Sequence, residues 1–292
     1  MDSVYATDFS TKILSVGFSR GWLLHEKFFE GGRALTKEAL TKRMEYRARL
    51  EQDGNSKDAS FESGQKIYLD TLLDTFETAG DRNLDELVED MIEILEAGIS
   101  TTTSIACWVC LLSGVFPEVG EKLHAEVEEH FASDEQIMDI ENCAKLEYLD
   151  MVIKETLRHF TVPIIIRQNE EDVFIKDVGT IPAKARIGLF LTALHHHPAY
   201  WEKPLEFYPE HFLPENVAKR PNCAFLPFSG GKRVCPGAKY AMQTLKCTLA
   251  QILSKVKFRA AKKKPWKNVY SETSNIRIHA NSFRRFFRNS RI

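Results

Sequence analysis

The sequence predicts a mainly α-helical protein with small β-sheets. Three observations carry that prediction. The longest apolar pattern, about residues 83–116, repeats at helical spacing, and two amphipathic patterns, 118–131 and 144–160, follow it. From residue 162 the texture changes to short β-branched runs broken by turn residues. A further helical run then follows Pro236.

The composition bounds the class. At 292 residues the chain is one large domain or two small ones. Hydrophobic residues make up 43% and charged residues 27%, the balance of a globular chain that buries a core. A net charge of −2 excludes a nucleic-acid footprint over the whole chain. Six cysteines at this length do not make a disulfide framework. Cys107 and Cys110, the one close pair, lie in an apolar helical pattern and read as packed thiols rather than a redox or zinc site. No run of about 18 apolar residues stands out, and no signal-peptide region opens the chain, so no membrane span is expected.

Taken in order, residues 1–33 mix polar and apolar types with Trp22, Phe28 and Phe29, and show no catalytic pattern. Residues 34–52, rich in Ala, Leu, Lys, Arg and Glu, predict a solvated helix. Asp53-Gly54-Asn55-Ser56 breaks it. Leu69, Leu72, Leu73 and Phe76 return to helical spacing, with Gly80 as the stop. Asn83 and Glu86 resemble a capping box opening the long helix, whose inward face takes Leu84, Leu87, Val88, Met91 and Leu95. Trp108, Leu111, Leu112 and Val115 continue it to Pro117. In its middle, Ala97-Gly98-Ile99-Ser100-Thr101-Thr102-Thr103 predicts a bend, because hydroxyls compete for backbone carbonyls and glycine weakens a helix by about 1 kcal/mol.

Val119, Leu123, Val127 and Phe131 form the inward face of the next helix, and Leu149, Val152, Ile153, Leu157 and Phe160 that of the one after. Glu155 and Arg158, three apart, share a helix face and can pair; alone they read as a surface salt bridge. Ile164–Ile166, Val173–Ile175 and Ile187–Leu191 predict strands. His195-His196-His197 reads as extended, with alternating faces that cannot converge on one metal ion. Residues 203–224 are proline-rich and irregular. The tail is basic, with Lys262, Lys263, Lys264, Lys267, Arg284, Arg285, Arg288 and Arg291.

Phe228–Gly237 holds Cys235 between a glycine-rich turn and a proline. Gly230 and Gly231 allow a tight turn, and Pro236 suits a first helical position. The apolar face behind it is Ala238, Ala241, Met242, Leu245, Leu249, Ile252, Leu253 and Val256. A thiol at a helix N-terminus is favoured as thiolate, and a thiolate so held can ligate haem iron.

Phe228, Gly231, Arg233, Cys235 and Gly237 resemble the cysteine-loop signature of cytochrome P-450, the haem-thiolate monooxygenases. Three further motifs follow the family's order. Ala97, Gly98 and Thr101 resemble its oxygen-side helix pattern, with Ser100 where the family has an acid. Glu155-Thr156-Leu157-Arg158 is similar to its Glu-x-x-Arg pair. Pro209-Glu210-His211-Phe212 is similar to its Pro-Glu-Arg-Phe stretch, with His211 replacing the arginine and losing its two-point fork.

The resemblance implies the cytochrome P-450 fold, N-terminally truncated, with residues 1–292 a partial domain. It implies haem b with Cys235 as the iron's axial ligand. Arg167 and Arg233 would meet its propionates, and Phe228, Gly231 and Gly237 would shape the loop. Thr101 is the implied oxygen-side hydroxyl, Ser100 a weaker proton relay and Gly98 the helix opening. Glu155, Arg158 and His211 are the implied structural lock. Some relatives esterify haem through a glutamate; Ala97 holds that position here and Glu96 is one residue off, so no ester is expected.

The implied activity inserts one atom of dioxygen into an apolar substrate, whether fatty acid, hormone-like lipid or xenobiotic. NADPH-derived electrons would arrive through a flavoprotein reductase, docked on a positive face including Lys232 and Lys239. The implied location is the cytosolic face of the endoplasmic reticulum membrane. A haem-thiolate isomerase or dehydratase, a haem-binding but inactive protein, and a fragment that holds no haem stay open as alternatives.

Overall fold

Two separate cores are buried in the computed structural model, which describes residues 9–52, 68–79, 83–131, 139–162 and 164–259, with side chains from Glu30 on except those of Glu51 and Ala79. The chain divides into two compact units, residues 1–99 and 100–292. The break at 53–56, the stop at Gly80, the side chains of Trp22, Phe28 and Phe29, and the basic tail all lie outside the described residues.

The first unit contains α1 (Phe9–Gln52), α2 (Tyr68–Ala79) and the start of α3 (Leu84–Val115), within which the boundary falls. Leu40, Leu73, Leu87, Val88 and Ile92 form its core, with Met44, Leu69, Leu72, Phe76, Leu84 and Met91 packed against them. Arg43 grips the buried Asp70 carboxylate at two points, 2.8 and 2.7 Å, and Arg47 meets Asp74 at 2.7 Å. Asn83 caps α3 as expected: its Oδ1 accepts the Glu86 N–H at 2.9 Å.

Three sequence expectations change here. The helix predicted from residue 34 already begins at Phe9, so α1, with 44 residues, is longer than α3 with 32. Leu95, expected inward, is 41% exposed. Through 97–103, where the bend was expected, α3 is helical at every residue. The Ser104 hydroxyl donates to the Ser100 carbonyl at 2.7 Å, the kind of back-bond from which the bend was expected. By length and hydropathy α3 is also apolar enough to cross a bilayer, contrary to expectation, although it carries core residues at both ends.

The second unit packs the C-terminal part of α3 against α4 (Pro117–His130), α5 (Ile140–Cys143), α6 (Glu147–Phe160) and a later helix. Val109, Leu112, Leu123, Leu146, Leu149 and Ile153 are wholly buried there, and Trp108 stacks on Phe160 at 4.1 Å. α4 approaches α3 so closely that a Cβ on Gly120 would lie 2.5 Å from the Ser113 carbonyl oxygen. Glu126 of α4 caps α6, accepting the Tyr148 and Leu149 N–H groups at 2.6 and 2.8 Å.

β1 (Ile164–Gln168) pairs antiparallel with β4 (Arg186–Phe190), in register from Ile164↔Phe190 to Gln168↔Arg186. Between them in sequence, β2 (Val173–Ile175) and β3 (Gly179–Ile181) make a hairpin. α7 (Leu191–His195) follows β4 directly. The proline-rich stretch supplies only single turns: 3-10 turns at Pro209–Phe212 and Asn222–Ala224, and α8 (Pro214–Val217) between them. A 3-10 turn at Gly231–Arg233 precedes α9 (Ala238–Leu253), whose Leu245, Leu249, Ala250 and Leu253 join the core. Val256 lies past the end of α9 and is exposed.

Candidate functional site

Glu155 and Arg158 are completely buried, not the surface pair that their spacing alone suggests. The cause is tertiary: both point from α6 under the irregular 203–212 stretch. Arg158 Nε and Nη2 donate to Glu155 Oε2 and Oε1 at 2.9 and 2.7 Å. Its remaining N–H groups reach backbone carbonyls of His195 (2.9 Å), Pro204 (2.7 Å) and Glu206 (2.8 Å). One guanidinium thus fixes the end of α7 and two points of irregular chain. Burial alone would raise the Glu155 carboxyl, but hydrogen bonds from Arg158, His159 and His211 hold it well below the usual range.

His211 stands beside this pair. Its Nδ1 faces the Glu155 carboxylate at 3.2 Å, and its Nε2 contacts the Glu202 carbonyl. Tyr208 N–H donates to Glu155 as well, at 2.8 Å. Trp201 is buried between two cations, with Arg220 4.1 Å and Arg158 5.0 Å from its ring centre. Arg220 in turn donates to the His211 carbonyl at 2.7 Å.

The histidine run is not extended, as the sequence suggested. α7 ends at His195, and the three rings go to different partners. His195 Nε2 accepts the Leu226 N–H at 2.9 Å, His196 Nε2 meets His159 Nδ1 at 3.0 Å, and His197 Nδ1 accepts from Ala199 N–H at 3.2 Å. Burial pushes both His195 and His196 down to about 4.

Three side chains therefore tether the start of the cysteine loop and the chain entering it, two through backbone groups and one through a hydroxyl. Besides His195 on Leu226, Thr161 reaches the Pro227 carbonyl at 3.3 Å, and Arg167 Nη2 donates to Ser229 Oγ at 2.8 Å. Within the loop, Cys235 N–H donates to the Phe228 carbonyl at 2.9 Å and Val234 N–H to that of Gly231 at 3.1 Å. Gly231 has φ +72°, which glycine adopts without steric cost. Pro236 is not the first helical residue: Pro236 and Gly237 form a turn, and α9 starts at Ala238. Ala238 N–H donates to the Cys235 carbonyl at 3.4 Å. Cys235 is exposed, and a Cβ on Gly237 would lie 3.9 Å from its sulfur.

Of the residues singled out from sequence, Arg167, Phe228, Gly231, Arg233, Cys235 and Gly237 come together. Arg167 Nη2 lies 3.5 Å from the Arg233 carbonyl. Glu155, Arg158 and His211 form a second, buried group. Ser100 and Thr101 are exposed on α3, and Gly98 lies across the unit boundary from them. Sequence reasoning missed His195 and Thr161 as tethers, and Trp201 and Arg220 as packing partners of the lock. His195, alone of these, carried a signal, being in a run already noticed.

The donor set around Cys235 suits haem. An exposed thiol can take the iron, the guanidinium groups of Arg167 and Arg233 suit carboxylates, and exposed Val234, next to Cys235 in the loop, suits an apolar ring.

Residues 18–282 match the family described as Cytochrome P450. The chain is 35% identical to "Probable cytochrome P450 4p2" of Drosophila melanogaster, over 59% of this chain and 35% of that protein. It is 32% identical to "Cytochrome P450 4V2" of Homo sapiens, over 81% of this chain and 45% of that one. With "Cytochrome P450 4c21" of Blattella germanica the identity is 28%, over 82% and 48%. The chain thus spans roughly a third to a half of the length of these relatives.

Proposed function

This chain belongs to the cytochrome P450 family, and on that premise we propose that it acts as a haem-thiolate monooxygenase on an apolar substrate. The substrate class is a fatty acid, a hormone-like lipid or a xenobiotic. The observation that carries the reading is Cys235, an exposed thiol on a loop tethered through Leu226, Pro227 and Ser229 and flanked by Arg167 and Arg233. Bound there, haem would supply oxygen activation, tuned by the sulfur of Cys235.

The chain's own residues hold and orient. Cys235 gives the sulfur, and its N–H bond to Phe228 fixes the loop that presents it. Arg167 and Arg233 would bind the carboxylate arms, Gly231 makes the loop's tight turn, and Gly237 keeps a side chain away from the sulfur. Thr101 holds a proton on its hydroxyl, and Ser100 passes one through water without holding charge as a carboxylate does. Glu155, Arg158 and His211 lock the stretch leading into the loop.

Electrons come from a flavoprotein reductase using NADPH, docked by Lys232 and Lys239 at the cytosolic face of the endoplasmic reticulum. Charge reversal at both lysines should slow reduction and flatten its salt dependence. A second reading, a haem-thiolate isomerase or dehydratase, is favoured by Ser100 alone. Turnover of a hydroperoxide without coupled NADPH use would select it.

The test is the difference spectrum of the reduced, carbon-monoxide-treated protein expressed with haem supply. A red-shifted Soret band, lost in Cys235→Ala, is expected. Absence of that band in the unsubstituted chain overturns the reading.

A further inference from the structure

Cys143 and Cys247 lie outside the site described above, and nothing proposed there uses them. Cys143 ends α5 and is wholly buried; Cys247, midway along α9, is partly exposed. Both residues donate to the same oxygen. Cys143 N–H reaches the Asp139 carbonyl at 3.0 Å, and the Cys247 thiol reaches it at 3.8 Å. Next to it, the Lys246 ammonium bonds the Ala144 carbonyl at 3.3 Å. Adjacent residues of α9 therefore clasp both ends of α5, and Cys247 packs against the core that contains Cys143.

We propose that Cys143 and Cys247 are a redox-responsive dithiol, closed to a disulfide by a peroxide and reopened by a small thiol. The accessible Cys247 reacts first. Its sulfur takes one peroxide oxygen, giving a sulfenic acid, and the other oxygen leaves as water. The Cys143 sulfur then attacks that of Cys247. The S–O bond breaks, the S–S bond forms, and the hydroxyl leaves with the Cys143 proton as a second water. Two electrons pass from the two thiols to the peroxide.

The surroundings make this exchange slow in both directions. Burial, then the Cys247 thiol, push Cys143 up to about 12. Its thiolate is scarce, which slows closure. A small thiol attacking the exposed Cys247 sulfur must expel Cys143, a poor leaving group, which slows reopening. The bond would close a loop of about 100 residues that includes α6, both sheets and the cysteine loop, and so restrict the unfolded chain strongly.

The test treats the full chain with graded hydrogen peroxide, blocks free thiols by alkylation and digests with trypsin without reductant. Mass spectrometry should find one dominant linked pair, the peptide ending at Lys145 joined to that beginning at Cys247. It should vanish with dithiothreitol, and the oxidised protein should unfold several degrees higher. In Cys143→Ala, the Cys247 sulfenic acid should persist and be trapped by dimedone. Both thiols still alkylated after peroxide, Cys247 over-oxidised beside a free Cys143, or a dominant link to Cys223 or Cys235 would each overturn the proposal. None of these measurements requires haem, so its failure is separable from that of the monooxygenase reading.

Discussion

His195 Nε2 accepts the backbone N–H of Leu226 at 2.9 Å, while the carbonyl of His195 accepts from Arg158 at 2.9 Å. One wholly buried residue thus joins the Glu155–Arg158 pair to the chain entering the cysteine loop. His195→Ala should remove the acceptor and leave the Leu226 N–H unmatched, at a cost of about 1–3 kcal/mol. His195→Gln keeps an acceptor and should lose less. Urea unfolding checks stability, and the fraction of protein with the thiolate Soret band checks the loop. A band as strong in His195→Ala as in the parent would show that the tether does not position Cys235.

Arg158→Met should cost about 3–5 kcal/mol, because it strands the Glu155 carboxylate in a wholly buried place. Glu155→Leu should cost a similar amount by stranding Arg158. Together they remove both charges, so the double variant should lose clearly less than the sum of the singles. Additive losses in a double-mutant cycle would contradict the coupling. Thermal or urea unfolding of the three variants measures it.

How far the sequence led depended on whether the signal was local. Asn83 and Pro117 are local signals, and α3 falls within a residue of the pattern they bracket. The strands at Ile164, Val173 and Arg186 followed from β-branched runs between turns. The burial of Glu155 and Arg158 has no local signal, since the carbonyls that Arg158 reaches lie on a distant stretch. The same holds for Glu126, which caps α6 from another helix. The histidine run was misread because the apolar character of β4 continues into Leu191, which opens a helix rather than ending a strand.

Two glycines make opposite predictions. Gly120→Ala places a methyl 2.5 Å from the Ser113 carbonyl oxygen, which is backbone and cannot swing aside. It should destabilise by about 1–3 kcal/mol as α4 moves off α3. Gly98 has nothing within 4 Å of its would-be Cβ. Gly98→Ala should therefore stabilise α3 by up to about 1 kcal/mol. Melting temperatures shifting in opposite directions would support both; a neutral Gly120→Ala would contradict the close crossing.

Acid should weaken this fold in two stages. Burial lowers His195 and His196 from 6.5 to about 4 in the folded protein. Between those values the unfolded chain binds protons that the folded one does not. Stability is thus fully present above about pH 6.5 and falls as the pH drops towards 4. At about 1.4 kcal/mol per pH unit, His195 accounts for a loss on the order of 3 kcal/mol. His196 accounts for less, because water reaches its ring and screens it. Glu155 adds a second stage. Its carboxyl is held well below 4.5, so the unfolded chain takes up that proton first, and stability falls further as the pH drops from about 4.5. Urea midpoints at pH 7.5, 6.5, 5.5 and 4.5 would trace the first stage. His196→Gln should flatten the slope between 6.5 and 4.5 while leaving the steeper acid limb in place. A slope unchanged by that substitution would mean that His196 titrates alike in both states, and that burial does not keep its ring neutral.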